Sequence, residues 1–165
     1  MVVFKRIVVM LLALAAAPAA AQELWNGIHH GMGVDQVRAH LPRAFAPAEP
    51  DALAGGEVEA LRLADVELAG HRFDASFFFD GDGLAQVILA YRPHAGGDPL
   101  AAFESVSRDL QRRLGPPAAS EATREPLQRR RHVWQHDGVR TVVLCLGEGA
   151  GAVLNVVHQV RPPAE

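Results

Sequence analysis

Eight histidines are the side chains best suited to bind a metal ion or to transfer protons in this sequence. His132 and His136 have the spacing of a ligand pair on a helix, where residues four apart are neighbours. The segment between them is typical of a strand, however, and extended chain separates such residues by roughly 13 Å. Zinc–nitrogen bonds are about 2 Å long, so both rings cannot reach one ion. We therefore predict surface or structural roles for the histidines, including His29 and His30, and no metal site.

The single cysteine, Cys145, lies between Leu144 and Leu146 in a strongly apolar segment. One cysteine allows no intrachain disulfide. In such a segment a cysteine usually serves as a small buried hydrophobe, whereas a reactive thiolate needs an accessible, electropositive setting. The strand alternation leaves open which face Cys145 occupies, and an exposed thiol would favour dimerisation in an oxidising compartment.

Glycine-rich and acidic segments offer further candidates for chemistry. The run Gly147–Gly151 resembles a phosphate-binding loop, but a strand-like segment follows it where a phosphate loop requires a helix. Asp80 and Asp82 lack the other acidic ligands of a calcium loop, and turn formation explains them. The sequence contains neither G-x-S-x-G nor H-E-x-x-H, the common hydrolase motifs. We predict a protein without cofactor that is not an enzyme.

Aromatic side chains are the remaining candidates, because they anchor many protein interfaces. The chain has only ten, and most should be in the core. Four are the best candidates for partner binding: Trp25, Phe78, Tyr91 and Trp134. Phe78 stands out because it faces away from its aromatic neighbours Phe73, Phe77 and Phe79 in an alternating segment.

The elements that must position these residues follow from apolar periodicity. Residues 22–33 read as a loop, and Val34–Leu41 as a short helix ended by Pro42. Residues 42–56 read as a long loop, and strands follow from Glu59 to Tyr91 with a hairpin turn at residues 80–83. Asp98, Pro99 and the stripe Leu100, Phe103, Val106, Leu110 and Leu114 predict a helix closed by Gly115. Residues 118–130 read as irregular, and strands return at 132–135, 139–146 and 152–160.

This order of elements repeats. Each half runs from a helix through a loop to three strands, and each ends at an Arg-Pro pair, Arg92-Pro93 and Arg161-Pro162. Strands joined by hairpins imply an antiparallel sheet. We therefore predict an α+β fold of two helix-plus-strand units in tandem, residues 22–93 and 94–165, with both helices packed on one face of the sheet.

A resemblance is carried by the opening helix. The matching residues are Gly27-Ile28, Gly31-Met32-Gly33-Val34-Asp35-Gln36-Val37 and Leu41-Pro42. They resemble the small outer-membrane-assembly lipoproteins of the SmpA/OmlA group and the secreted β-lactamase-inhibitor proteins, which carry two such units in tandem. Gly33 stands where a Ser or Thr cap is usual, and no lipid-attachment cysteine exists, which favours a soluble tandem relative. The resemblance implies a non-catalytic binding module whose sheet face meets another protein.

The first 21 residues have the pattern of a signal peptide. Lys5 and Arg6 precede an 11-residue apolar run, and Ala19-Ala20-Ala21 forms a cleavage site before Gln22. The run is too short to span a bilayer, so we expect a periplasmic or secreted protein with no membrane span after cleavage. The mature chain has a formal net charge of −5 and no lysine. Nucleic-acid binders carry a basic surplus, so nucleic acid is not an expected partner.

Three hypotheses follow for the function. The leading one is an exported, soluble, non-enzymatic module that binds another envelope or secreted protein through its sheet face. The second is a periplasmic protein that binds a small molecule or an envelope polymer in the cleft between its two units. The third is a hydrolase whose site is assembled from scattered His, Asp and Glu residues.

Overall fold

A computed structural model describes residues 22–93 and 97–160. The signal peptide expected at residues 1–21 and the Arg161-Pro162 pair lie outside these residues. In the two described stretches, no helix is long and apolar enough to cross a membrane.

Within these described residues the chain forms nine strands and two α-helices. In chain order they are β1 (Glu23–Trp25), β2 (Ile28–His29), α1 (Val34–His40), β3 (Val58–Leu68), β4 (His71–Asp80), β5 (Gly83–Tyr91), α2 (Pro99–Leu114), β6 (Ala119–Thr123), β7 (Arg129–His136), β8 (Val139–Leu146) and β9 (Val153–Val160). A single 3-10 turn, Gly149–Gly151, precedes β9.

Seven strands form one antiparallel sheet in the order β3-β4-β5-β9-β8-β7-β6. The sheet is continuous through its centre, where β5 pairs with β9 from Gln86↔Gln159 to Ala90↔Asn155. β1 and β2 form a separate two-stranded hairpin. Because backbone hydrogen bonds cross from β5 to β9, the early and late strands share one sheet.

The predicted fold of two helix-plus-strand units in tandem is wrong. The structure is mostly β, with the seven-stranded sheet and the small hairpin as its main parts. Its two helices are unequal, since α1 has 7 residues and α2 has 16. Periodicity predicts most strands but carries no information on which strands pair, and the repeated Arg-Pro pairs do not mark the boundaries of two units. The β5–β9 pairing replaces that boundary with a continuous sheet.

The segment between α2 and β7 also differs from the prediction. Residues 118–130 were expected to be irregular, but Ala119–Thr123 form β6 and β7 begins at Arg129. All five residues of β6 are exposed, so the segment lacks the buried alternation that marks a strand. Pairing with β7, from Ala119↔Val133 to Thr123↔Arg129, produces this strand.

Residues with positive φ form the turns of two hairpins. Asn26 and Gly27 have φ of 48° and 76°, and Asp137 and Gly138 have 49° and 77°. Two successive positive φ values are typical of the tight type I′ turn, whose twist matches that of the strands. The second turn was predicted from the sequence. The first was not, and it places Trp25 at the end of β1.

Helix α2 matches its prediction closely. Asp98 caps it by accepting a hydrogen bond from the backbone N–H of Leu100 at 2.9 Å, and Gly115 ends it with φ of 81°. Phe103, Val106 and Leu110 are buried against the sheet. Only Val37 of α1 is fully buried.

The core occupies one face of the sheet. Phe73, Ala75 and Phe77 of β4 point into it, as do their partners on β3 and β5. The buried residues of both helices belong to the same core cluster. Within residues 22–93 and 97–160, both helices therefore contribute to this face, and the opposite face carries no helix.

Candidate functional site

The sheet face opposite the helices, here called the open face, carries an apolar row across the middle strands. Ile88, Val157, Val142 and Val133 stand directly opposite one another on β5, β9, β8 and β7. Neighbouring strands lie about 4.8 Å apart, so four strands in register give a band roughly 15 Å long. Phe78 lies beside this row on β4 and is only 3% exposed.

Two exposed apolar side chains extend this surface. Phe45 is 47% exposed and pairs with Arg62 at the β3 edge, which places both side chains on the open face. Val153 on β9 is 54% exposed and alternates with the buried Leu154. Arg62 and Ser76 separate Phe45 from Ile88, and Asn155 separates Val153 from Val157 on the same face. Large exposed hydrophobic side chains near an apolar band are typical of contact surfaces.

Amide and guanidinium groups border the apolar row. Gln86, Gln159, Arg140 and Gln135 stand in register on β5, β9, β8 and β7. No sequence pattern predicts this row, because it joins strands that are distant in the chain. An apolar centre with a polar border is the usual anatomy of a protein interface.

An ion pair fixes the β3 edge of the open face. The Arg62 guanidinium donates two hydrogen bonds to the Glu59 carboxylate, at 2.7 Å and 2.5 Å, and the Glu59 side chain is fully buried. Burial alone would raise the pKa of Glu59. Hydrogen bonds from Arg62, from Ser76 and from the backbone N–H of Asp51 outweigh burial and lower this pKa. The carboxylate is therefore charged at neutral pH and holds Arg62 in one orientation.

The helix side of the molecule has a second feature, two adjoining clefts. One, of about 790 Å³, lies between the residues that follow α1 and the end of β3. The other, of about 600 Å³, lies between the end of α2, β1 and the strands β8 and β9. Both are lined by Glu23, Trp25, Asn26, Leu68 and Arg113. We call them together the helix-side cleft.

Trp25 is partly buried at the junction of the two clefts. Its ring packs on the buried Phe77, with ring centroids 6.0 Å apart and the planes inclined at 54°. The Glu23 carboxylate accepts a hydrogen bond from the backbone N–H of Gly27 at 2.7 Å, which braces the hairpin turn that positions Trp25. The Asn26-Gly27 dipeptide is a strong hairpin signal and could have revealed this arrangement from the sequence.

A neutral hydroxyl–imidazole pair lies in the wall of the smaller cleft. Thr141 Oγ1 and His158 Nδ1 are 3.0 Å apart on neighbouring strands. Burial, assisted by the nearby Arg113 charge, lowers the pKa of His158 to about 4. The imidazole is therefore uncharged at neutral pH and offers hydrogen bonding without charge. No local sequence motif predicts this pair, because the pairing of β8 with β9 brings the two residues together.

The structure separates the four aromatic candidates. Trp25 lines the helix-side cleft, and Phe78 belongs to the open face. Trp134 is 2% exposed beneath the end of α2, where its indole N–H donates to the Gly115 carbonyl at 3.0 Å. Tyr91 is 9% exposed and packs edge-on against Phe73 with centroids 5.6 Å apart. Phe78, Tyr91 and Trp134 thus present little surface themselves.

The other residues considered for chemistry are mostly inside the fold. His132 lies 3.0 Å from Ser107 Oγ, and burial lowers its pKa, but Ser107 is itself only 6% exposed. Cys145 is on the core face, where burial raises the pKa of its thiol. His132 and His136 both lie on β7, which extends one residue beyond the predicted end at Gln135. Among the residues of the two described stretches, no three His, Cys, Asp or Glu side chains are grouped to hold a metal ion.

No protein-family model matches this chain, and no curated protein or solved structure is significantly similar to it. The resemblance to outer-membrane-assembly lipoproteins and β-lactamase-inhibitor proteins therefore stays a prediction.

Proposed function

We propose that this protein is an exported, non-enzymatic binding module whose open face contacts another protein of the cell envelope. The exposed side chains Phe45 and Val153, on a sheet face that no helix of the described chain covers, carry the proposal. Val133 and Val142 are already 4% and 9% exposed, so the apolar area that a partner can remove from water belongs to Phe45, Val153 and the half-buried Ile88 and Val157. A second protein surface buries this area without any cofactor.

The shape and edges of the face favour a protein over a small ligand. Small-molecule sites are concave and enclose most of the ligand, whereas the open face is one side of a twisted sheet. Phe45 and Val153 lie beyond the apolar row and enlarge the surface that a partner can bury. The border of Gln86, Gln159 and Arg140 supplies hydrogen bonds at its margin.

Export is supported by the signal-peptide pattern of residues 1–21. An exported mature protein lies in the periplasm or outside the cell, where the partner is to be sought. Because residues 22–165 contain no lysine, amine-directed crosslinkers cannot label the surface through side chains. A photoreactive amino acid inserted at one position at a time avoids this difficulty.

Photo-crosslinking in the cells that make the protein tests the proposal. The photoreactive residue is placed at Phe45 or Val153, and the matched control is Leu127, which is also exposed, at 53%, but lies in the segment between β6 and β7. We expect one dominant protein adduct, identified by mass spectrometry, from both open-face positions and not from Leu127. Equal labelling from all three positions, or no adduct from either open-face position, would contradict the proposal.

Charge substitution at the same positions provides a second test. Phe45→Glu and Val153→Glu each place a charge within the contact area but bury none in the core, so the fold should persist. We expect each to weaken capture of the crosslinked partner by tenfold or more, while Leu127→Glu leaves capture unchanged. Circular dichroism of the three variants shows that lost capture is not lost folding.

A further inference from the structure

The helix-side cleft is large enough for a ligand of several linked rings. Its two parts measure about 790 Å³ and about 600 Å³ and share Trp25 at their junction. Typical ligand sites occupy 300–1,000 Å³, so each part alone has the size of a binding site. Two adjoining parts that share a wall can each hold one end of a linear ligand.

The charges around the cleft do not select an ionic ligand. Both signs are present, and Arg113 and Asp65 are already paired with Asp109 and Arg72 at 2.8 Å and 2.7 Å. Besides Glu23, the remaining guanidinium and carboxylate groups of the larger part, those of Arg43 and Glu67, have opposite signs. The Glu23 carboxylate accepts from the Gly27 backbone. A site for phosphate or a polyamine would present an excess of unpaired charge of one sign.

Uncharged hydrogen-bonding groups and an aromatic ring remain as the recognition elements. Thr141 and His158 line the smaller cleft, and their residues are only 5% and 8% exposed. The amide of Asn26 stands beside Trp25 in both parts. The Trp25 ring, fixed against Phe77, supplies a flat apolar surface. Sugar rings have matching chemistry, with apolar C–H faces and hydroxyl edges.

We propose that the helix-side cleft binds a neutral oligosaccharide, with one sugar ring stacked on Trp25 and neighbouring hydroxyls hydrogen-bonded to Asn26 and the Thr141–His158 pair. This site is on the side of the sheet away from the open face. The inference is therefore independent of the protein-binding proposal, and either can fail alone.

Trp25 provides its own optical signal for the test. The chain has two tryptophans, and Trp134→Phe leaves Trp25 as the sole indole. The purified mature protein is screened against an array of neutral glycans. Cellotetraose and chitotetraose are then titrated while tryptophan emission is followed. We expect a saturable change in emission, and calorimetry on the unsubstituted protein repeats the measurement because Trp134→Phe could destabilise the fold.

Variants separate stacking from general damage. We expect Trp25→Ala to weaken glycan binding at least tenfold and Trp25→Phe to retain part of it, because a smaller ring still stacks. Val153→Glu on the open face is the matched control and should leave glycan affinity unchanged. Conversely, Trp25→Ala should leave photo-crosslinking from Phe45 unchanged, which distinguishes failure of this site from failure of the proposed function.

Salt and charged probes test the neutrality of the ligand. Raising the salt concentration from 0.05 M to 0.5 M should change glycan affinity by less than twofold, since no ion pair forms. Three results would overturn the inference: no neutral glycan bound on the array or in titration, binding unaffected by Trp25→Ala, or saturation of the Trp25 signal by inorganic phosphate or spermidine but not by glycans.

Discussion

The buried hydroxyl group of Tyr91 is expected to lower the stability of the fold. Among the described side chains, Tyr91 Oη is the buried polar atom without a hydrogen-bond partner. Such a group loses its bonds to water on folding and gains none in return, at a cost of about 1–3 kcal/mol. Tyr91→Phe should therefore raise the free energy of unfolding by about 1 kcal/mol, measured by urea denaturation.

Trp134→Phe is the matched comparison for this prediction. It deletes an indole N–H that does have a partner, the Gly115 carbonyl, and it leaves space in the core. We expect the free energy of unfolding to fall by roughly 1–3 kcal/mol. A destabilised Tyr91→Phe variant would show that the hydroxyl has a partner in solution.

The buried imidazole of His158 makes stability depend on pH. Its pKa falls from 6.5 to about 4 on folding, so between these values the unfolded chain binds the proton and the folded one does not. The contribution of His158 to the free energy of unfolding is therefore fully present above pH 6.5. It declines as the pH falls towards 4, and the free energy of unfolding falls by up to about 3 kcal/mol. Urea denaturation at pH 7.5 and pH 4.5 measures the difference.

His158→Gln should reduce that pH dependence, because glutamine does not titrate. The matched control is His136→Gln, whose side chain is 58% exposed at the β7–β8 turn, and it should leave the dependence unchanged. His132, whose pKa burial also lowers, contributes in the same direction and will preserve part of the slope. Equal slopes in His158→Gln and the unsubstituted protein would contradict the assignment.

At the scale of elements, the β4–β5 turn is tied to the segment before α1. The N–H of Leu84 donates to the Met32 carbonyl and the N–H of Gly31 to the Leu84 carbonyl, both at 2.9 Å. Gly83 has φ of 113°, and an added Cβ would overlap the Gly31 carbonyl group. Gly83→Ala should lower the free energy of unfolding by more than about 2 kcal/mol in chemical denaturation.

Gly81 in the same turn is the control for this substitution. A Cβ there meets nothing within 4 Å, and its φ is not in the left-handed range. We expect Gly81→Ala to change the free energy of unfolding by less than about 0.5 kcal/mol. Similar losses in the two variants would indicate general turn sensitivity and argue against a specific contact with Gly31.

Which elements can be predicted depends on whether their cause is local. Helix α2 has a cap at Asp98, a proline at its start and an apolar stripe, and it forms where the sequence indicates. Strand β6 has no local signal and exists because β7 offers a pairing edge. For Phe78, the sequence indicates the opposite face from Phe77 but not its burial, which depends on neighbours from other strands.

At the scale of the whole molecule, the proposed export predicts a defined mature end. The small residues Ala19 and Ala21 both lie just before the expected cut, so N-terminal sequencing of the exported protein should begin at Gln22. Replacing both alanines with arginine should leave an uncleaved, longer chain, while the same change at Pro47 and Ala48 leaves processing intact. An exported chain that retains Met1 would contradict the prediction.

The two proposed sites could not be located from the sequence, for one physical reason. The open-face row joins Ile88 to Val157 and Val133, and the cleft joins Trp25 to His158. Each set is assembled by strand pairing between distant segments. The chain's periodicity shows which side of its own strand a residue occupies, but not which residue lies beside it.

The central β5–β9 seam also bears on how the protein acquires its structure. Residues 86–90 have their partners at 155–159, so the middle of the sheet closes only after nearly all of the described chain has been made. Until then β5 presents a bare hydrogen-bonding edge flanked by apolar side chains, which is the kind of surface that initiates aggregation. Slow assembly and a need for protection while the chain is incomplete follow from this one pairing.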